Sequence, residues 1–211
     1  MEDHATAKLA GVVVATPHIE RHFKKYSNCV AVQNFPIANE LAVDPDERKG
    51  ERGLFVYVGG VSELRGAKEM ATAVGLAGGL AKLAVAGEWA DRSLIEECQS
   101  MSSSERFLAL GQINRDAVKK LLSSATAGLV LYKPAGNHIY AQPNKLFEYM
   151  SAGIPVIASN FPLWREIVEG NQCGICVDPL DPGGIASAMR WMIDNLDEAE
   201  GMGRMGQGAV K

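Results

Sequence analysis

The sequence has few cysteines, no basic tract, no long apolar run and no internal repeat, and each shortage removes a class of protein. Its longest apolar stretch is interrupted by Lys82 and falls short of the ~18–20 residues that a membrane-spanning helix needs. The opening MEDHATAKLA lacks the basic and then apolar order of a secretory leader. Lysine and arginine are scattered and the formal net charge is −4, which argues against nucleic acid as a partner and against membrane binding by charge. A cytoplasmic protein is expected. Four cysteines, Cys29, Cys98, Cys173 and Cys176, do not make a disulfide scaffold. The C-x-x-C of the last two lies in CGICVDP, which reads as a strand that turns residues three apart to opposite faces, and no second pair completes a zinc site. His18 and His22 have the one-face spacing of a helical metal pair, but the metalloprotease glutamate is misplaced and no third ligand is evident. No metal site and no cofactor is expected, and PHIERH reads as a solvated helix face.

What the chain does have is an alternation of short apolar runs with helical spacing. With 47% hydrophobic and 22% charged residues over 211 positions, it can bury the core of one full domain. Strands are expected at 11–16, 29–34, 54–59, 81–87, 107–111, 128–132, 154–159 and 174–178. Helices are expected at 67–77, 92–102, 114–125, 144–152, 162–169 and 183–195. Continuous apolar strands are buried on both faces, as a parallel sheet between helices requires. The fold class is therefore α/β, a doubly wound parallel sheet of six strands. The stretch 35–53, rich in Pro, Asp and charge, reads as a linker. Before it, a helix, strand, helix, strand fragment has too little apolar material to close a core. The expected division is 1–47, trailing elements and linker, and 48–211, a ligand-binding domain.

In such sheets ligands bind beyond the carboxyl ends of the strands, so the loops after strands carry the candidates. VGGVSELRG offers Gly59 and Gly60 for close backbone approach and Arg65 for an oxyanion, each charge-assisted hydrogen bond being worth ~1.5–3 kcal/mol. In PNKLFEYM, Pro143 starts a helix and leaves the amides of Asn144, Lys145 and Leu146 free as an anion site. Leu146, Phe147 and Met150 form the expected buried stripe, with Asn144, Lys145, Glu148 and Ser151 opposite. Lys145 and Glu148 then have two readings: an exposed pair worth ~0.2–0.5 kcal/mol, or a phosphate cation and, one turn deeper, a carboxylate for sugar hydroxyls. A third loop, GQINRD, presents Gly111, Gln112 and Ile113 to a flat ring.

From about residue 54 the chain resembles the donor-binding C-terminal domain of retaining GT-B glycosyltransferases of family 4, the group 1 transferases. VGGVSELRG is similar to that family's Gly-Arg, four residues, Lys-Gly loop, and FEYMSAGIPVIAS resembles its Glu-x-Met-Ala-x-Gly-x-Pro-Val-Ile signature. The lead-in, with VVVATPHIERHF and VAVQNFP, is similar to the last elements of the family's N-terminal domain.

The resemblance implies that Glu148 holds the ribose hydroxyls of a nucleoside diphosphate sugar and that the amides around Asn144 to Leu146 bind its diphosphate. Arg65 takes the family lysine's role, and the loop of Gly111, Gln112 and Ile113 holds the base. With no metal-binding carboxylate pair, Arg65 and Lys145 stabilise the departing diphosphate. Two positions depart from the family pattern: Gly60 stands where its first cation falls, and Tyr140 where its other glutamate falls. Lys145 is the substitute cation, and His138 and Tyr140 are the candidates for the donor sugar; no catalytic residue is named. The implied reaction is metal-independent hexosyl transfer to a glycan or lipid-linked acceptor. The family's N-terminal acceptor domain is absent apart from its last elements, so a missing domain or partner chain is expected to complete the enzyme and to supply any peripheral membrane contact, and this chain alone is expected to be inactive. A GT-B sugar-nucleotide epimerase and a non-catalytic subunit of a split transferase are the alternatives.

Overall fold

The protein is described by a computed structural model covering residues 6, 8–25, 28–37, 40–44, 48, 51–136 and 138–210. A first parallel pair, β1 (Val12–Val14) and β2 (Cys29–Ala31), is joined by α1 (Pro17–Phe23). The hydroxyl of Thr16 caps α1 by accepting from the Ile19 amide at 3.3 Å, and Pro17 opens the helix. Six of the eleven residues before β1, where a helix is expected, and seven of the nineteen in the 35–53 linker lie outside the described residues.

The second unit is an unbroken series: β3 (Leu54–Val58), α2 (Ala67–Ala77), β4 (Lys82–Ala86), α3 (Ser93–Ser102), β5 (Phe107–Gly111), α4 (Arg115–Ser124), β6 (Ala127–Val130), α5 (Asn144–Ser151), β7 (Val156–Ser159), α6 (Pro162–Val168), β8 (Gly174–Val177), α7 (Pro182–Asp194) and α8 (Leu196–Ala209). The six strands pair in the order β5-β4-β3-β6-β7-β8, every pairing parallel. Strand order reverses between β3 and β6, which opens the crevice where sheets of this topology bind ligands. The expected doubly wound class and its six strands are what the structure shows. No helix among the described residues is long and apolar enough to cross a membrane.

Alternation along the central strands builds a core on each face. Phe55 and Tyr57 of β3 point to the side of α2, α3 and α7, while Leu54 and Val56 point to α4, α5 and α6. Every residue of β6 and β7 is buried, as strands covered on both faces must be. On the edge strand β5 the outward Leu108 and Leu110 are partly exposed. Trp164, fully buried, anchors the second core and donates from Nε1 to the Ala141 carbonyl at 2.7 Å.

Two sequence expectations need correction here. Residues 196–209, assigned no element from the sequence, form α8, although Gly201, Gly203, Gly206 and Gly208 each disfavour a helix. Packing explains two of them: a Cβ on Gly203 would collide with the Gly153 carbonyl, and one on Gly206 would meet Cys173 Cβ at 3.0 Å. Cys173 and Cys176 do not face opposite ways. Cys173 precedes β8 rather than lying in it, so both thiols pack into the same core, where burial pushes them up to about 11 and about 12.

Candidate functional site

The ends of β3, β4 and β5 each run into glycine, and the backbone there forms the floor of the crevice. Gly59 has φ 119° and Gly111 φ 65°, conformations that side-chain-bearing residues adopt at a cost. Gly87 approaches Gly59 so closely that a Cβ would collide with the Gly59 carbonyl. The resulting crevice, of about 360 Å³, is bordered by Gly59, Gly60, Gly87, Gln112, Ile113 and Arg115. Asn114 closes this loop by capping α4, its Oδ1 accepting from the Ala117 amide at 2.9 Å.

Beside the crevice lies a buried cation. Lys145 is 7% exposed, and its Nζ sits 3.4 Å from the Tyr57 ring centroid and 5.6 Å from that of Tyr132. A Cβ on Gly59 would stand 3.2 Å from this Nζ, so glycine is what lets the ammonium reach the end of β3. The Nζ has no hydrogen-bond partner among the described residues. Burial, and then the neighbouring Arg65 charge, pull its pKa well below the usual lysine range, against the pull of Glu148. The helical-wheel placement of Lys145 on an outer face is therefore wrong. α5 enters beneath the ends of β3 and β6, and the aromatic rings of Tyr57 and Tyr132 cover a side that the 3.6-residue period marks as polar.

Arg65 stands across the same rings. Its Nη1 donates to the Gly60 carbonyl at 2.9 Å, an oxygen that also accepts from Tyr57 Oη at 2.7 Å, and its guanidinium carbon lies 5.6 Å from the Tyr132 ring centroid. Gly60 leaves room for it: a Cβ there would meet Arg65 Nη1 at 2.5 Å. Burial raises the Tyr57 and Tyr132 hydroxyls, which keeps both phenols neutral beside the two cations.

The helix N-terminus differs in detail from expectation. Pro143 is the cap residue rather than the first helical one, and it offers no side-chain hydrogen bond. The Leu146 amide donates to the Pro143 carbonyl at 3.1 Å, and the Leu146 side chain is fully buried. Asn144 and Lys145 hold the remaining outward amides of the first turn. Glu148, whose side chain is 13% exposed, accepts from Arg115 Nη1 at 3.0 Å; the pair with Lys145 is not an exposed ion pair. Tyr149 completes the motif from below, its buried hydroxyl accepting from the Val58 amide at 2.8 Å.

Two candidates lie further out. His138 faces Tyr132, ring centroids 5.0 Å apart, with Nδ1 3.2 Å from the Lys133 carbonyl oxygen. Tyr140 does not join the crevice; it stacks on His18 of α1, ring centroids 3.6 Å apart and nearly parallel. Sequence reasoning missed Tyr57, Tyr132 and Arg115. Arg115 had a signal, since it opens the helix after the third loop, whereas nothing in the sequence marks the two tyrosines as the walls around Lys145.

The site is thus a glycine-floored crevice at the switch point of a parallel sheet, flanked by a buried lysine and an arginine. Residues 40–208 match the model of the family described as glycosyl transferases group 1, and the chain belongs to that family. It is 34% identical over 119 residues to an uncharacterized glycosyltransferase of Methanocaldococcus jannaschii, covering 55% of this chain and 28% of that one. Its fold is similar to sucrose-phosphate synthase from Thermosynechococcus elongatus (TM-score 0.79, 20% identity, 99% of this chain, 55% of that one). It is also similar to HepE of Anabaena in complex with UDP (0.81, 13%, 99% and 60%). A third similar structure is the C-terminal domain of a group 1 family protein from Francisella tularensis (0.66, 16%, 83% and 96%). The chain thus spans less than two thirds of the curated relative and of the two longer structures.

Proposed function

We propose that the chain binds a nucleoside diphosphate sugar in this crevice and supplies the donor side of a retaining, metal-independent transfer of a hexosyl group to a glycan or lipid-linked acceptor. Residues 48–211 form the donor domain, and 1–47 are the trailing elements of an acceptor domain, in keeping with a β1–β2 sheet separate from the six-stranded one. An acceptor domain or partner chain completes the enzyme, and this chain alone transfers little.

Lys145 carries the reading. A buried ammonium that packs on aromatic rings but has no hydrogen-bond partner among the described residues has its desolvation only partly offset, and a diphosphate at the ends of β3 and α5 would supply the missing anion. Arg65 and the amides of Asn144 and Lys145 then share the charge that builds on the diphosphate as the bond to the sugar breaks. Glu148 takes the ribose hydroxyls, Gly111, Gln112 and Ile113 the base, and His138, which faces Tyr132 whereas Tyr140 stacks on His18, is the candidate for the sugar. The similarity to a structure solved with UDP supports a nucleotide ligand.

Calorimetric titration with UDP, GDP, ADP and dTDP tests this. One of them should bind selectively, and Glu148→Ala should weaken it by about 100-fold, two charged hydrogen bonds being lost, with Arg65→Ala and Lys145→Met also reducing affinity. Binding of none, or equal binding by the variants, would overturn the proposal.

A further inference from the structure

Glu40 lies in the segment between β2 and β3, far from Glu148 in sequence, yet the two carboxylates share one guanidinium. Arg115 Nε donates to Glu40 Oε1 at 3.2 Å and Nη2 donates to Glu40 Oε2, a two-point fork. Its remaining arm, Nη1, donates to Glu148 Oε1 at 3.0 Å. The carboxylates use different nitrogens, so they do not compete, and the rigid planar fork passes the position of one to the other. A lysine, with a single ammonium on a flexible stem, would not hold both in fixed relation.

Three consequences follow from this geometry. Only Oε1 of Glu148 is engaged by Arg115, so Oε2 keeps its lone pairs for a ligand. Glu148 is partly neutralised and repels a nearby diphosphate less. Its orientation depends on a residue outside the six-stranded unit, because Glu40 belongs to the connecting segment and both it and Arg115 are partly exposed, at 34% and 46% of their side chains. From these contacts we infer that Glu40 and Arg115 are positioning residues for ribose recognition: the connecting segment, through Arg115, sets the angle at which Glu148 meets the sugar hydroxyls. The inference rests on the reading of Glu148 as the ribose contact, and it adds a link between that contact and the placement of the two-stranded unit.

Ribose discrimination tests it on the full chain. UDP, GDP and ADP are each titrated beside their 2′-deoxy counterparts, with wild type, Glu40→Gln, Arg115→Gln, Arg115→Lys and Glu148→Gln. Wild type should prefer the ribo form of its nucleotide by roughly 10-fold, the value of one of the two charged hydrogen bonds to Glu148. Glu40→Gln and Arg115→Gln should bring that ratio toward unity at unchanged melting temperature. Arg115→Lys should lose the ratio by weakening the ribo form while the affinity of the 2′-deoxy form stays near wild type, and Glu40→Gln combined with Glu148→Gln should do no more to the ratio than Glu148→Gln alone. A ratio that falls in Glu148→Gln but stays at the wild-type value in Glu40→Gln and Arg115→Gln would overturn the inference and leave the nucleotide reading standing. Variants that weaken both forms equally would likewise overturn it, since a lost charge alone does that. No nucleotide bound, or no effect of Glu148→Gln, would remove the nucleotide reading and the inference together.

Discussion

The two sheets are built from the same kind of residue and end in opposite environments. In the six-stranded sheet Val56, Val130 and Val156 are fully buried, whereas in the two-stranded sheet Val13 is 71% exposed and Val30 52%. Valine favours strands in both places, so strand formation does not explain the difference. What differs is cover: the larger sheet has helices on both faces, and among the described residues the smaller has only α1 packed on it, itself without a buried residue. A run of β-branched residues therefore specifies a strand, while the layers around it specify whether that strand contributes to stability.

The largest way to break this contrast is Trp164→Ala. It empties a site packed against Tyr132 and Phe161 and should cost ~3–5 kcal/mol in urea unfolding, while Val13→Ala should move the same midpoint by no more than ~0.5 kcal/mol. A Val13→Ala loss comparable to that of Trp164→Ala would mean that the small sheet is a core in its own right.

The contrast recurs within α8. Gly203→Ala should destabilise by ~1–3 kcal/mol through collision with the Gly153 carbonyl. Gly208, with open space where its Cβ would stand, should gain about 0.5 kcal/mol as alanine. Thermal melts of the two variants should shift in opposite directions.

Lys145 sharpens the comparison, being a charge on the covered side. Its folded pKa lies below that of a free lysine, so the unfolded chain binds the proton more tightly. Stability should rise with pH between the depressed folded value and about 10.5, by up to ~1.4 kcal/mol per pH unit. Lys145→Met should be more stable at neutral pH and lose this rise, as read from urea midpoints across pH. Equal slopes in the two proteins would show that Lys145 stays fully charged in the fold.

Much of the architecture was legible because its signals are local. α2 spans Ala67–Ala77, the range its periodicity predicts, and the glycines after β3 mark where the backbone had to turn without a side chain. The apolar runs of β6 and β7 depend on neighbouring residues alone. The same holds for the family signature around Glu148, which reads in the sequence before any contact is known.

The site itself was legible only in part, because each missed contact joins residues distant in the chain. Tyr57 and Lys145 meet only when α5 docks on the end of β3, and Arg115 meets Glu40 and Glu148 only when three segments converge. The amino-acid sequence by itself determined the order and type of the elements from β3 to α7, the class of the sheet and the glycines at its mouth, since periodicity and backbone freedom are properties of adjacent residues. Tertiary structure alone decided that Lys145 is buried, that Cys173 and Cys176 share a face and that a glycine-rich tail is a helix. In each case the cost of desolvation, backbone entropy or orientation is offset by a surface that the local sequence does not contain.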